Sequence, residues 1–276
     1  MPVKTLKMLG TAAVFGVAAL AAPASAQAID DDFWISASGF LANVDTDVRS
    51  TLASNPSGGT ELDLEDDLGL DDNELLPAIY AGAKFGGGFV VTGEYYSLNR
   101  DTTATISRTI TVDDVTYPIN GSIEAGFGTA IYRLTIGYSF IRNETTEVGA
   151  AIGLHATDLE FSISGQGSTG GPTVSAQTRR KDFLAPLPTV GVYGTFEVMP
   201  HVTINARADY LSLGVGDYDG SILNAQAAVS YRFTDNFGIG VGYRYVDYGL
   251  DVEKDTYVAS FDYQFNGPSI FIEAGF

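Results

Sequence analysis

The chain has 276 residues and carries 34 acidic against 15 basic side chains, a formal net charge of −19. So acidic a chain excludes nucleic-acid binding through a phosphate-neutralising surface, and the absence of cysteine excludes a disulfide framework. With 32 Gly, 15 Tyr, 16 Phe and only 18% charged residues, the composition points to one large all-β domain of twisted, aromatic-bearing strands.

Residues Met1 to Ala26 read as a secretory signal peptide. Lys4 and Lys7 form the positive n-region, Met8 to Ala22 the apolar h-region, and Ala24-Ser25-Ala26 an A-x-A cleavage site, so the mature chain begins at Gln27. The apolar run is shorter than the ~20 residues of a spanning helix, and Pro23 follows it. Losing the two lysines and no acids takes the net charge from −19 to about −21.

From Phe33 onward the period is two, the strand period. An acidic excursion, Asp45 to Asn73, comes first. Gly86-Gly87-Gly88 is a short turn, and a polar excursion follows at Thr111 to Pro118. Tyr132, Leu134, Ile136, Tyr138 and Phe140 then alternate with Arg133, Thr135, Gly137 and Ser139. A second short turn, Ile141 to Thr146, precedes Val148, Ala150, Ile152 and Leu154, and Gly165 to Arg180 is a longer excursion. Met199-Pro200-His201 turns into Val202, Ile204, Ala206, Ala208 and Tyr210, opposed to Thr203, Asn205, Arg207 and Asp209. After Val215 to Asp219, Leu223 to Phe233 alternates likewise, and Thr234-Asp235-Asn236 turns into Phe237, Ile239, Val241, Tyr243 and Tyr245. Glu253 to Asp255 leads to a last strand, in which Ile270, Ile272, Ala274 and the terminal Phe276 share one face.

A soluble sandwich alternates too. In this chain, however, the polar face is rich in Gly, Ser and Thr with isolated charges, and aromatics gather near strand ends. That distribution fits lipid outside, a polar lumen inside and aromatic girdles. Four short and five longer connections, in alternation, join ten strands. The expected fold is therefore a transmembrane antiparallel up-and-down β-barrel of about ten strands. Eight is the main alternative, reached by dismissing a hairpin where Pro186 and Pro188 or Gly267-Pro268 interrupt the pattern.

The chain resembles the small Gram-negative outer-membrane barrels of the broad OmpA/OmpW-like group. More narrowly, Asp63-Leu64-Glu65-Asp66-Asp67-Leu68-Gly69-Leu70-Asp71-Asp72, Pro186-Leu187-Pro188 with Gly191, and Gly238 to Arg244 are similar to an uncharacterised proteobacterial barrel family with an acidic first loop. The C-terminal segment resembles the signature read by the barrel-assembly machinery, through Ile270, Ile272, Ala274 and Phe276. The resemblance implies an outer-membrane location, with membrane lipid and lipopolysaccharide as surroundings and no cofactor. It supplies no reaction.

Two constellations could carry chemistry. Asp63, Glu65, Asp67, Asp71 and Glu74 nearly reproduce calcium-loop spacing, but Leu68 stands where that loop needs glycine. Weak divalent binding is one reading; a solvated acidic loop with Leu64, Leu68 and Leu70 packed on the barrel mouth is the other. Secondly, the alternation points Lys84, Glu94, Arg133, Glu147, Arg207, Asp209, Arg232, Arg244 and Asp262 into the lumen, as a salt-bridge network or a filter. An enzyme is not expected. His155 has no Asp two residues before it, and His201 falls in a short turn. The expected function is structural or a narrow passive route for small solutes, the competing one a surface interaction through acidic loops.

Overall fold

The computed structural model describes residues 29–55, 59–112, 115–168 and 174–276. The expected signal peptide lies outside the described residues. Among the described residues thirteen strands are formed: β1 (Phe33–Leu52), β2 (Leu62–Asp63), β3 (Asn73–Phe85), β4 (Phe89–Thr105), β5 (Ile110–Val112), β6 (Val115–Tyr117), β7 (Ser122–Arg142), β8 (Thr146–Gly167), β9 (Val174–Met199), β10 (Val202–Val215), β11 (Tyr218–Arg232), β12 (Phe237–Glu253) and β13 (Tyr257–Gly275). Ten of them, β1, β3, β4 and β7 to β13, pair in chain order, and β13 closes on β1. All these pairings are antiparallel. The remaining three are small additions at the long-loop end: β2 pairs with β1, and β5 and β6 form a hairpin.

Closure removes the free edges that an open sheet would expose. The C-terminus takes part directly. Phe276 donates its N–H to Phe33 O at 2.8 Å, and Phe276 O accepts from the N–H groups of Asp32 and Phe33. Ile270, Ile272 and Phe276 are outward and exposed.

The expected strand count of ten is what the chain forms, but two excursions are shorter than expected. The β1 strand runs through the acidic stretch to Leu52, and β8 and β9 extend to Gly167 and from Val174. The wall therefore rises well past the membrane. Outward apolar side chains define the lipid-facing zone. Phe33, Phe85, Phe89, Phe140, Phe233, Phe237 and Phe276 mark its lower rim, and Leu41, Leu75, Tyr95, Tyr132, Tyr210 and Tyr243 its upper rim. That is about nine residues per strand, the length of a tilted spanning strand. Strands β4, β7 and β8 continue for roughly ten more residues, about 33 Å along each strand.

At the upper rim the hydrophobic phase inverts while the pleat keeps its parity. On β12, Phe237, Ile239, Val241 and Tyr243 face outward; above them Asp247 and Asp251 face outward, while Val246, Tyr248, Leu250 and Val252 are buried inside. Below the rim lipid lies outside, so apolar side chains point out. Above it water lies outside, so the same pleat must bury its apolar side chains within. The extension is consequently a solid core: Leu76, Tyr96, Ile110, Tyr117, Ile123, Ile163 and Phe265 are at most 1% exposed.

Candidate functional site: the lumen

The acidic first loop explains part of that core. Residues 63 to 69 form one helical turn, with Asp67 N–H to Asp63 O and Gly69 N–H to Glu65 O both at 2.9 Å. Asp63 caps its start by accepting the Asp66 N–H at 2.7 Å. Gly69, at φ 74°, ends it, with Leu70 N–H returning to Leu64 O at 3.0 Å, a left-handed helix stop that favours glycine. The turn drives Leu62, Leu64, Leu68 and Leu70 into the barrel mouth. Its acids have protein partners: Glu65 with Arg100 and the Thr46 N–H, Asp67 with Arg108. Asp71 accepts from Arg100 through its carbonyl, and Glu74 lies on β3. Among the described residues no group of three or more acids or histidines is arranged to hold a metal ion. The residues whose spacing mimics a cation loop form a capped turn.

Below the core lies a chain of alternating charges. Arg244 pairs with Glu94, Glu94 with Arg133, Arg133 with Asp209 at 2.6 Å, and Asp209 with Arg207. These side chains come from β12, β4, β7 and β10, so the chain crosses the bore. Arg207 grips Asp209 with two bonds, of 2.7 and 2.8 Å, and also donates to Thr92 at 3.2 Å. Arg244 donates to Gln226 Oε1 at 3.0 and 2.5 Å. Charge pairs of this burial are stable only with such networks around them.

A second ionic layer stands at the short-turn end. Lys84 Nζ lies 2.7 Å from Glu147 and donates to Ile29 O at 2.5 Å; Ser139 Oγ donates to Glu147 at 2.5 Å. Arg232 pairs with Asp31 and lies 3.6 Å from Glu273. The segment entering β1 is thereby tied across the mouth, with Ile29 buried.

Between the two layers is a chamber of about 230 Å³, lined by both and by Trp34, Phe40, Tyr80 and Phe271. The space exists because inward aromatics lie flat on glycines of neighbouring strands. A Cβ at residue 82 would fall 2.1 Å from the Trp34 ring, and one at 240 would fall 2.1 Å from the Phe271 ring. Above the charge chain the bore is filled by contiguous rings. Phe40, Phe265, Tyr96, Tyr263, Phe127, Phe261, Tyr248 and His155 form pairs with centroids 4.9 to 6.1 Å apart.

Eight of the nine charges expected to point inward do so: Lys84, Glu94, Arg133, Glu147, Arg207, Asp209, Arg232 and Arg244 all join one of the two layers. Asp262 does not. It stands above the rim, exposed on the outer wall between Asp47 and Gly249, where the inverted phase turns polar residues outward. His155 is buried against Tyr248 with neither ring nitrogen hydrogen-bonded, and His201 occupies a short turn at φ 68°. Asp31, Trp34, Gln226 and the Arg100–Glu65 pair were not singled out by sequence reasoning. Parity does place Gln226 opposite the lipid-facing Ala225 and Ala227, a usable signal. The bond from Arg232 to Asp31, across 201 positions, leaves no local trace.

The family model of the outer membrane protein beta-barrel domain matches residues 12–265. No curated protein matches the chain in sequence. Among solved structures, the outer membrane protease OmpT from Escherichia coli is similar in fold, with TM-score 0.56 and 11% identity over 90% of this chain and 98% of that one. The P. putida toluene transporter TodX gives TM-score 0.39 at 8% identity, covering 90% of each chain. Ail, the attachment invasion locus protein of Yersinia pestis, gives 0.30 at 15% identity, over 86% of this chain and 99% of that one. Fold is all that such identities convey. The ten-stranded ring, its lipid-facing belt and the family match agree: this chain belongs to the outer membrane protein beta-barrel domain family and is a barrel of the Gram-negative outer membrane.

Proposed function

We propose that the protein is a structural, non-conducting barrel that anchors a stiff, acidic extension above the outer leaflet. The observation that carries this reading is the aromatic layer and apolar core filling the bore above the charge chain. Apolar side chains that meet across the axis oppose a continuous water column, the cavity of about 70 Å³ beside Phe127 and Phe261 being lined mainly by apolar side chains, and small barrels are filled by their own side chains. The reading is non-catalytic. His155, buried among rings, has no acid or nucleophile bonded to it, and His201 sits at the periplasmic end, away from the outer rim.

Liposome swelling is the direct test. Vesicles carrying the refolded barrel are expected to resist arabinose influx as protein-free vesicles do. Swelling that rises with the amount of barrel would contradict a closed bore and restore the passive-pore reading.

A further inference from the structure

We propose that the chamber in the periplasmic half of the lumen binds a small elongated zwitterion, its carboxylate toward the charge chain and its ammonium toward the periplasmic floor. The ceiling is cationic: three guanidiniums, Arg133, Arg207 and Arg244, share two carboxylates, Glu94 and Asp209, among the described residues. Arg207, Gln226 and Arg244 stand side by side on β10, β11 and β12. Gln226 already accepts from Arg244 through Oε1, which leaves its amide N–H groups for another acceptor. The floor is acidic: Asp31, Glu147 and Glu273 outnumber Lys84 and Arg232. Glu273 Oε1 is buried, and its nearest cation, Arg232 Nε, stands at 3.6 Å, beyond hydrogen-bond length, so a ligand ammonium can take the closer position.

Among the described residues one charge of each sign is in excess, at opposite ends of the chamber, and a ligand that matches both relieves the cost. Arg244 lies six residues along β12 from the partner of Glu273, about 20 Å of strand. The long Arg and Glu side chains reach inward from both ends, so the remaining gap suits a ligand whose charges stand well apart, unlike those of an α-amino acid. Trp34 and Phe271, flat against the wall, present faces to an apolar ring between the charges. With the bore above filled, entry is from the periplasmic side, past the segment that enters β1. The entry side rests on the closed-barrel reading, but binding and permeation are separate measurements and each can fail alone.

Trp34 is the chain's one tryptophan and lines the chamber, so its emission reports occupancy. The refolded full barrel is titrated with 4-(aminomethyl)benzoate, and separately with 4-methylbenzoate and 4-methylbenzylamine, each lacking one charge. The expected result is a saturable change with the zwitterion and at least about ten-fold weaker binding of either analogue, one lost charge-assisted bond each. Glu273→Gln should weaken the zwitterion and the amine while sparing 4-methylbenzoate; Arg244→Gln should do the reverse. Ser38→Phe, which fills the chamber and keeps every charge, should abolish all three responses and guards against a misfolded charge variant. Equal affinity for the analogues, a response that survives Ser38→Phe, or no saturable change would each overturn the proposal.

Discussion

Arg133 touches two carboxylates from two other strands, Glu94 on β4 and Asp209 on β10. Removing it leaves Glu94 with Arg244 and Asp209 with Arg207, and forfeits two charge-assisted bonds across the bore. Arg133→Ala is therefore expected to cost about 1.5–3 kcal/mol, read as a fall in the urea midpoint of the refolded barrel in detergent. An unchanged midpoint would mean that the network is not holding the wall. On the outer wall the sign is opposite. Burial, then Asp45, Asp63, Glu61 and Asp262, raises the Asp47 carboxyl above its ordinary value; burial, then Asp251, Glu61 and Asp247, raises Asp262. A raised carboxyl holds its proton more tightly folded than unfolded. Its stabilising contribution is thus present in acid and lost as pH rises through its folded value. Asp47→Asn should stabilise the fold at pH 7 by about 0.5 kcal/mol of relieved repulsion, read as a higher unfolding temperature, and the gain should vanish below about pH 4. A gain that is the same at both pH values would rule out repulsion as its source.

Elements show what the sequence reveals and what it hides. Period two reads directly as strands, and Phe237 to Tyr243 opposite Gly238, Gly240 and Gly242 is as plain in the sequence as in the barrel. The same rule misplaced Asp262, because polar-in holds only where lipid is outside. Nothing local on β13 announces the rim. The switch becomes visible where Tyr263 and Phe265 take the inward face that Ser269 and Glu273 hold lower down. The acidic loop hid its structure for another reason. Asp63 and Gly69 are cap and stop of a single turn, a length too short to show helical periodicity. Leu68→Ala should loosen that plug at a cost of about 2–4 kcal/mol, seen as faster protease cleavage near residues 59 to 72; unchanged cleavage would place the core's stability elsewhere. Gly82→Ala should push the Trp34 ring off the wall into the chamber and shift its emission, since a Cβ cannot share that space. An unshifted spectrum would mean that the ring does not rest there.

Taken whole, the molecule is a closed, polar-cored membrane section and, above it, an apolar-cored section standing in water. Ten strands close the lower section; above the rim β3 ends, β1 pairs briefly with β2, and β9 and β10 part. Strand number, closure and location could be read from alternation and the chain ends. The filling of the upper bore could not, because it depends on rings from β1, β4, β7, β8, β12 and β13 meeting across the axis. The same filling distinguishes an anchor from a pore. The most direct test is single-channel recording of the refolded barrel in planar bilayers at high salt. A closed, dry upper section predicts a silent membrane at every voltage tried. Stable, voltage-independent current steps would show a continuous aqueous path and contradict it.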